Sequence, residues 1–457
     1  MSIRAVGLVA QRGSMGVALA GLAATFVLAA SAASAAHTSP PPGRDVTAAP
    51  NSNRPAPLTR LWRQGRPPRL RAVDGGPRYY RRFSNALPSN PSYFPIGVWL
   101  ECVPGRSAVQ RDKDAGLNLY VALCGPSQAD YNRVKAHGMR ALLQQDEWNG
   151  RGVTFNSAMA GWLLHDEIDM QMSPEAGYAE LQRIKSTLPA DRRLRYNNFG
   201  KGVLFWAKNV QAARYVNAVD VPSTDVYWFS DNNVCDFSEG GRLLTGGRRA
   251  LTDSECHRAS NYGAQVQRVR SLVAPRGSKP VWNFVEVGHP ASEDHWPGIT
   301  PPQIRAAVWH SLIAGARGII YFNHSFGGPC ETQHALREPC YSSARAAVKG
   351  TNKQIKALAR VLNAPFVTSG WSHNPATKAM VKWQGGHFYV FAGSAENVAA
   401  TGSFSIPCVG RAAARAVGEK RAIPIRGGSF SDSFADGNAV HIYRIDGGSA
   451  CGLKRRP

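Results

Sequence analysis

The chain has 457 residues, of which 43% are hydrophobic and 19% charged, and this composition is typical of a globular protein with a sizeable core. Its 54 Lys and Arg residues outnumber 31 Asp and Glu residues, which gives a formal net charge of +23 and predicts attraction to anionic surfaces. The basic residues are scattered, and no long Lys/Arg block is interleaved with aromatic residues. The charge alone therefore does not indicate a nucleic-acid-binding protein.

The first 36 residues have the pattern of a secretory signal peptide. A basic start precedes the apolar run MGVALAGLAATFVLAA and the small-residue stretch SAASAA, which predicts cleavage near Ala35 or Ala36. The apolar run is shorter than the roughly 20 residues of a membrane-spanning helix. We expect a secreted protein, extracellular or associated with a cell wall, with an uncleaved anchor as the alternative. Residues 37–80 are predicted to be a Pro-rich flexible linker.

Eight cysteines agree with export to an oxidising compartment. Their positions invite four pairings, although sequence alone does not decide the connectivity. No CxxC or Cys/His spacing typical of zinc occurs, so we expect no metal site and no cofactor. The suggested pairs are Cys102 with Cys124, Cys235 with Cys256, Cys330 with Cys340, and Cys408 with Cys451.

From about residue 93, strand-like apolar runs alternate with helical patterns. Continuous apolar runs suit parallel strands that are buried on both faces. Eight such units predict a TIM barrel, which we assign to residues 81–365. A doubly wound open sheet is the alternative, but no Gly-rich phosphate loop follows the first strand. The strand candidates in chain order are PIGVWL, NLYVAL, MRALLQQ, AGWLLHDE, RLRYNN, VPSTDVYWF, PVWNFVEV and RGIIYFN.

After Asn363 the pattern changes to short strands and turns. The stretch AMVKWQGGHFYVFAGS predicts a hairpin with Gly385 and Gly386 at the turn, and GSFSIP and AVHIYRI are further strands. The fold class is therefore α/β, a (β/α)8 TIM barrel followed by a small antiparallel β-sandwich domain at residues 366–457.

In TIM barrels the active site forms at the carboxyl ends of the strands. The fourth and seventh strands lie across the mouth and end in Glu167 and Glu286, which can face one another. Two opposed carboxylates suit glycosidic hydrolysis, in which one protonates the leaving oxygen and the other stabilises or attacks the sugar carbon. Other strand ends provide candidate substrate contacts, aromatic rings for sugar faces and polar groups for hydroxyls, at Trp99, Glu101, Gln145, Asn198, Asp225, Tyr227, Trp228 and Asn323.

GWLLHDEID and PVWNFVEVG resemble the strand-4 and strand-7 motifs of the clan A glycoside hydrolases, which are retaining TIM-barrel enzymes. WHSLIAGARGIIYF is similar to their last helix and strand, and FSDSFADGNAVHIYRI to the β-sandwich tail of several members. The resemblance implies that Glu167 is the acid/base and Glu286 the nucleophile. It also implies that Asp166, where most members carry Asn, contacts the 2-hydroxyl, and that Tyr227 orients the nucleophile.

We therefore predict a secreted glycoside hydrolase that cleaves a polysaccharide or oligosaccharide by a retaining two-carboxylate mechanism. The alternative is a non-catalytic TIM-barrel protein that binds glycan or cell wall. Its basic surface predicts a further partner, an anionic cell-wall polymer. We expect no nucleic-acid partner and no stable membrane span after signal cleavage.

Overall fold

The computed structural model of the chain describes residues 67–231, 233–290 and 298–453. The predicted signal peptide and residues 37–66 of the predicted linker lie outside the described residues. The described residues form one compact unit.

Eight parallel strands form the barrel predicted from the sequence. Their hydrogen-bonded order is β6-β5-β4-β3-β2-β1-β8-β7, and the Trp282 N–H donates to the Pro222 carbonyl at 3.0 Å where the first and last strands of this order meet. The strands are β1 (Ile96–Glu101), β2 (Leu119–Leu123), β3 (Arg140–Gln144), β4 (Met159–Asp166), β5 (Leu194–Phe199), β6 (Val221–Thr224), β7 (Asn283–Glu286) and β8 (Ile319–Phe322).

The barrel interior is a separate apolar cluster from the layer between strands and helices. Trp282 and Phe284 alternate with Glu286 along β7, and both are fully buried in this interior cluster. This alternation places the Glu286 side chain on the same face as the interior layers.

The helices follow the strands around the outside of the barrel. Ser173 accepts from the Ala176 N–H at the start of α5, and Thr300 and Gln303 form a capping box at α10, as their sequence patterns predict. The helices are α1 (Arg106–Asp114), α2 (Gln128–Ala136), α3 (Gln145–Trp148), α4 (Ile168–Gln171), α5 (Pro174–Thr187), α6 (Asn209–Ala218), α7 (Gly240–Thr245), α8 (Asp253–Cys256), α9 (Ser260–Leu272), α10 (Pro301–Ile313), α11 (Ser342–Ala357) and α12 (Ala359–Leu362), with a π-helix at Gly202–Trp206.

The C-terminal region consists of two antiparallel sheets, as predicted. The predicted hairpin joins β11 and β12, with Gly385 and Gly386 both at positive φ in the turn. The strands are β9 (Phe366–Val367), β10 (Ser372–His373), β11 (Thr377–Gln384), β12 (His387–Ser394), β13 (Ala400–Ser405), β14 (Ala412–Ala416), β15 (Ala422–Ile425), β16 (Ser429–Phe434) and β17 (Val440–Asp446).

The two-residue strand Leu70–Arg71 pairs with β9, and Tyr79 and Tyr80 are buried. Both features lie within the last part of the predicted linker, so the ordered fold begins before residue 81. The sandwich packs on α10, where Trp309 stacks on Phe391 with ring centroids 5.9 Å apart.

Four disulfides join the pairs that the cysteine positions suggested. Cys102–Cys124 links the ends of β1 and β2, and Cys408–Cys451 closes the C-terminal region. In the described ranges, no helix combines the length and apolar character that a membrane span requires.

Candidate active site

Glu167 follows β4 in a left-handed backbone conformation, with φ 51° and ψ 38°. Few residues other than glycine adopt this conformation, and such positions concentrate at functional sites. The Glu167 N–H donates to the Asn198 carbonyl at 3.1 Å, which ties the turn to the end of β5. The strained turn thus directs the carboxyl group of Glu167 toward the barrel mouth.

Three acids converge at this turn. Burial raises the pKa of Glu167 to about 8, and the neighbouring charge of Asp166 adds to the shift, while a hydrogen bond with Asp225 opposes it. Burial raises the pKa of Asp166 to about 6, against a hydrogen bond from the Asn198 amide at 3.0 Å. Burial and the charges of Glu167 and Asp166 raise the pKa of Asp225 well above its usual range. The cluster therefore retains protons at neutral pH that isolated carboxyl groups would lose.

Gly200 and Lys201 lie behind the cluster. A Cβ atom on Gly200 would overlap Met170 Sδ and stand 2.6 Å from Glu167 Oε1, so only glycine leaves room for both side chains at this distance from the backbone. Lys201 supplies positive charge that partly offsets the pKa rise of Glu167. Its ammonium group, however, is bound to Asp231 at 2.9 Å and Glu239 at 2.7 Å.

Glu286 at the end of β7 has a different environment, because neutral donors surround it. The Tyr262 hydroxyl lies 2.6 Å from Oε1 and 2.5 Å from Oε2, and the Ser230 hydroxyl donates to Oε1 at 3.2 Å. The side chain is 0% exposed. Burial raises its pKa to about 7, although these donors favour the ionised form.

Tyr227 lies close enough to both sides of the mouth to interact with their charges. Burial and the negative charges of Asp225, Glu167, Asp166 and Glu286 all raise the pKa of its hydroxyl. Its ring contacts Phe322 of β8, with centroids 5.1 Å apart, and Phe322 is paired in register with Glu286. Tyr227 and Phe322 therefore form an aromatic pair beside the end of β7.

Of the predicted residues, Asp166, Glu167, Asn198, Asp225 and Tyr227 interact with one another, and Glu286 is linked to them by the effect of its charge on Tyr227. Trp228 is 0% exposed and donates its indole N–H to Gln265 at 2.7 Å, so its ring has no free face for a sugar. Trp99 is buried in the barrel interior against Phe284. The prediction that these two rings stack on substrate is contradicted by their burial.

Glu101 belongs to an internal ion-pair network. Its carboxylate accepts from Asn323 and His334 and lies 3.0 Å from the Arg337 guanidinium, and it is fully buried. Arg337 also pairs with Asp112 at 2.5 Å. Because Glu101 and Asn323 satisfy each other inside the protein, the predicted substrate contacts at these positions are replaced by a structural role. Gln145 begins α3 and is half-buried. Among the described residues, it has no hydrogen bond to this network or to the acid cluster.

Sequence reasoning missed two residues that hold Glu286. Tyr262 comes from α9, and Ser230 follows the aromatic run after β6. Tyr227 was expected to orient this glutamate, whereas its hydroxyl lies 3.4 Å from Asp225 Oδ2. No sequence signal identifies Ser230. None identifies Tyr262 either, because its contact with Glu286 depends on how helix α9 packs beneath β7.

One group among the described residues has metal-ligand spacing, with its ligand atoms within 4.8 Å of one another. It consists of Cys235, Cys256 and His257, and the two cysteines form a disulfide, so their sulfurs are not thiolate ligands.

No family model matches the chain, and no curated protein matches it. Among solved structures, a protein described as "Glycoside hydrolase" aligns at 12% identity and a TM-score of 0.48, over 83% of this chain and 97% of its own. A glycoside hydrolase family 5 protein from Bacteroides vulgatus aligns at 12% identity and 0.48, over 82% and 93%. The noncanonic maltogenic alpha-amylase AmyB from Thermotoga neapolitana aligns at 9% identity and 0.47, over 78% and 98%. At such values the likeness assigns no role to any residue of this chain.

Proposed function

We propose that this protein hydrolyses glycosidic bonds with Glu167 as the proton donor and Glu286 as the nucleophile. One observation carries the proposal: the ends of β4 and β7 supply two carboxyl groups, both with raised pKa, whose charges act on the same hydroxyl, that of Tyr227. Acid/base chemistry near neutral pH needs groups that titrate near that pH.

Glu167 acts first as an acid. With a pKa of about 8 it carries its proton at neutral pH and donates it to the glycosidic oxygen as the bond to the sugar carbon breaks. An oxygen of Glu286 forms a bond to that carbon in the same step. Glu167, now ionised, then removes a proton from water, whose oxygen attacks the carbon and releases Glu286 as a carboxylate.

Tyr262 and Ser230 support the second role, because two hydroxyl donors stabilise the ionised form of Glu286 before and after the reaction. The carboxylate has no exposed surface in this structure. The proposal therefore requires that substrate binding move Tyr227 and Phe322 apart, so that a sugar ring takes the place of their contact.

The test compares the hydrolysis of a panel of polysaccharides by the purified protein and by its variants Glu167→Gln and Glu286→Gln. The matched control is Glu175→Gln, at an exposed position of α5. We expect the control to keep its activity and both site variants to lose it. Proton NMR of the first product released should show the anomer of the substrate. Activity that survives either site substitution would overturn the assignment, and the opposite anomer would overturn retention.

A non-catalytic glycan-binding barrel is the second candidate, and the complete burial of Glu286 favours it. A carboxylate that does not contact substrate can have a structural role in the barrel. This candidate predicts that a panel sugar binds without being cut, and that Glu286→Gln binds it as well as the unchanged protein does.

We also propose that the protein is secreted, since four disulfides suit an oxidising compartment. Fractionation of producing cells should find the chain outside the cytoplasm with its N-terminus near residue 37. A cytoplasmic chain with reduced thiols would contradict this.

A further inference from the structure

The outer face of α11 carries an unbroken basic stripe. Ala344, Val348, Asn352 and Ile355 are buried, while basic residues recur every three or four positions on the outer face, where the lysines are exposed and the first arginine is half-buried. At 1.5 Å per residue the stripe runs about 16 Å along the helix, and one further arginine extends it onto α12. Its members are Arg345, Lys349, Lys353, Lys356 and Arg360.

Helix α1 adds positive charge on one side of the stripe. A groove of about 740 Å³ lies between α1 and α11, and its lining includes Arg111, Arg345 and Lys349. Farther along, Lys113 is close enough to lower the pKa of Lys356, in addition to the effect of burial. The acid in the groove, Asp114, accepts from the Gln110 amide at 2.8 Å.

These basic groups have no acidic partner, whereas several basic groups elsewhere in the protein do. Arg249 pairs with Glu255 at 2.6 Å, and Arg421 pairs with Asp432 at 2.7 Å. Within the part of the chain that the structure describes, no carboxylate lies within 4.0 Å of the stripe's basic groups or of Arg111. A row of uncompensated like charges destabilises the free protein, and an external polyanion relieves the repulsion.

We propose that the α1–α11 face binds an acidic polysaccharide, with its carboxylate groups lying along the lysines of the stripe. Successive basic side chains stand about 4.5 to 6 Å apart along the helix axis, which suits a linear chain that carries charge at every sugar. The stripe begins at the end of α11 that follows the β8 loop, so a glycan bound along it can reach the barrel mouth.

The stripe favours a glycan over nucleic acid because α11 lacks aromatic side chains on which bases could stack. Lysines act as point charges and require no planar, bidentate partner. The choice of a glycan also rests on the proposed function, since the same chain would then cut sugars at its barrel mouth.

The test is binding to polygalacturonate, measured with the full chain carrying Glu167→Gln so that nothing is cut. The test variant is Lys349→Glu/Lys353→Glu/Lys356→Glu on α11. The matched control is Arg411→Glu/Arg415→Glu/Lys420→Glu in the sandwich, where these side chains are exposed and have no ion pair among the described residues. Both triple changes lower the formal net charge by six, from +23 to +17.

We expect the α11 variant to lose at least about tenfold in affinity at physiological salt and the control less than about twofold. The slope of log affinity against log salt should fall by about 2 in the α11 variant, roughly 0.7 for each lost contact. Equal losses in both variants would overturn the proposal, as would equal binding to neutral dextran. Tighter binding to DNA than to polygalacturonate would assign the face to nucleic acid instead. Because binding is read without hydrolysis, failure of the proposed function leaves this result unaffected.

Discussion

Two groups of acids with little exposed surface lie within the same barrel domain. On the β1 side, Glu101 and Asp112 share the guanidinium of Arg337, and His334 also contacts Glu101. On the side formed by the ends of β4 and β7, Glu167 has acids as its neighbours, and the donors to Glu286 are hydroxyl groups. The negative charge of the first group is compensated by a buried guanidinium, and that of the second group is not.

The comparison shows that a raised pKa does not by itself identify a catalytic acid. Burial raises the pKa of Glu101 to about 7, the same value as for Glu286. What differs is the set of partners, because a guanidinium fixes a carboxylate as part of the structure, whereas hydroxyl donors and like charges leave it able to change its protonation state.

The largest expected effect is on catalysis at the uncompensated side. Glu286→Gln removes the nucleophile while keeping the shape and the donors around it, and we expect hydrolysis to fall by about 10⁴-fold. Initial rates on the best panel substrate measure this. A loss of hydrolysis rate below about tenfold would show that Glu286 has a structural role, as Glu101 and Asp112 do.

Asp112→Asn tests the compensated side. It leaves Arg337 with one fewer anionic partner in a buried site, and we expect it to lower the free energy of unfolding by about 3 kcal/mol. Urea unfolding followed by circular dichroism measures this. The folded molecules of this variant should hydrolyse substrate at the unchanged rate. A loss of activity per folded molecule would show that this network contributes to the active site.

Gly200→Ala moves the acid without removing it. The new methyl group would overlap Met170 Sδ and lie 2.6 Å from Glu167 Oε1, so both side chains must shift, and we expect about a hundredfold loss of kcat. Steady-state kinetics measure this, with Gly350→Ala as a control, since a Cβ there meets no atom within 4 Å. Equal behaviour of the two variants would show that the position of Glu167 is unimportant.

Glu167→Gln should stabilise the protein. A folded-state pKa near 8 against an ordinary 4.5 means that the folded state holds a proton which the unfolded state loses across this range. Stability therefore falls as pH rises from about 4.5 to about 8, and the amide removes that fall. We expect a gain of about 1 to 3 kcal/mol at pH 8 and almost none at pH 4, measured by thermal unfolding. A gain that does not depend on pH would have another cause.

We expect the smallest effect from Tyr262→Phe, which should shift only one limb of the pH–rate profile. Losing this donor disfavours ionised Glu286, so the acidic limb of the pH–rate profile should move from about 7 to a higher pH by about one unit. The alkaline limb near 8, set by Glu167, should stay in place. Movement of the alkaline limb alone would reverse the two roles.

The sequence predicts the barrel because its signals are local. Most strands contain a short apolar run, and the eight strands of the structure lie within or next to the predicted runs. The prediction of substrate contacts is poorer, because position at a strand end does not give the direction of a side chain. Trp228 follows β6 as Tyr227 does, yet it turns into the core toward Gln265. Tyr262 could not be found, since its contact with Glu286 depends on how α9 packs against the barrel.

Helix α11 is also longer than its sequence suggested. A stripe of large apolar residues at helical spacing is visible in the sequence only from Ile355 onward, whereas the helix begins at Ser342. Its first half has alanine, glycine and lysine in place of a large apolar stripe, so the hydrophobic periodicity is weak there. The same composition gives this helix its basic outer face.

The most direct test of the central claim compares Glu167→Gln with Asp112→Asn, one carboxyl-to-amide change from each side, in both hydrolysis and unfolding. We expect Glu167→Gln to lose hydrolysis and gain stability, and Asp112→Asn to keep hydrolysis and lose stability. The opposite pattern, or loss of activity with loss of stability in both variants, would contradict it.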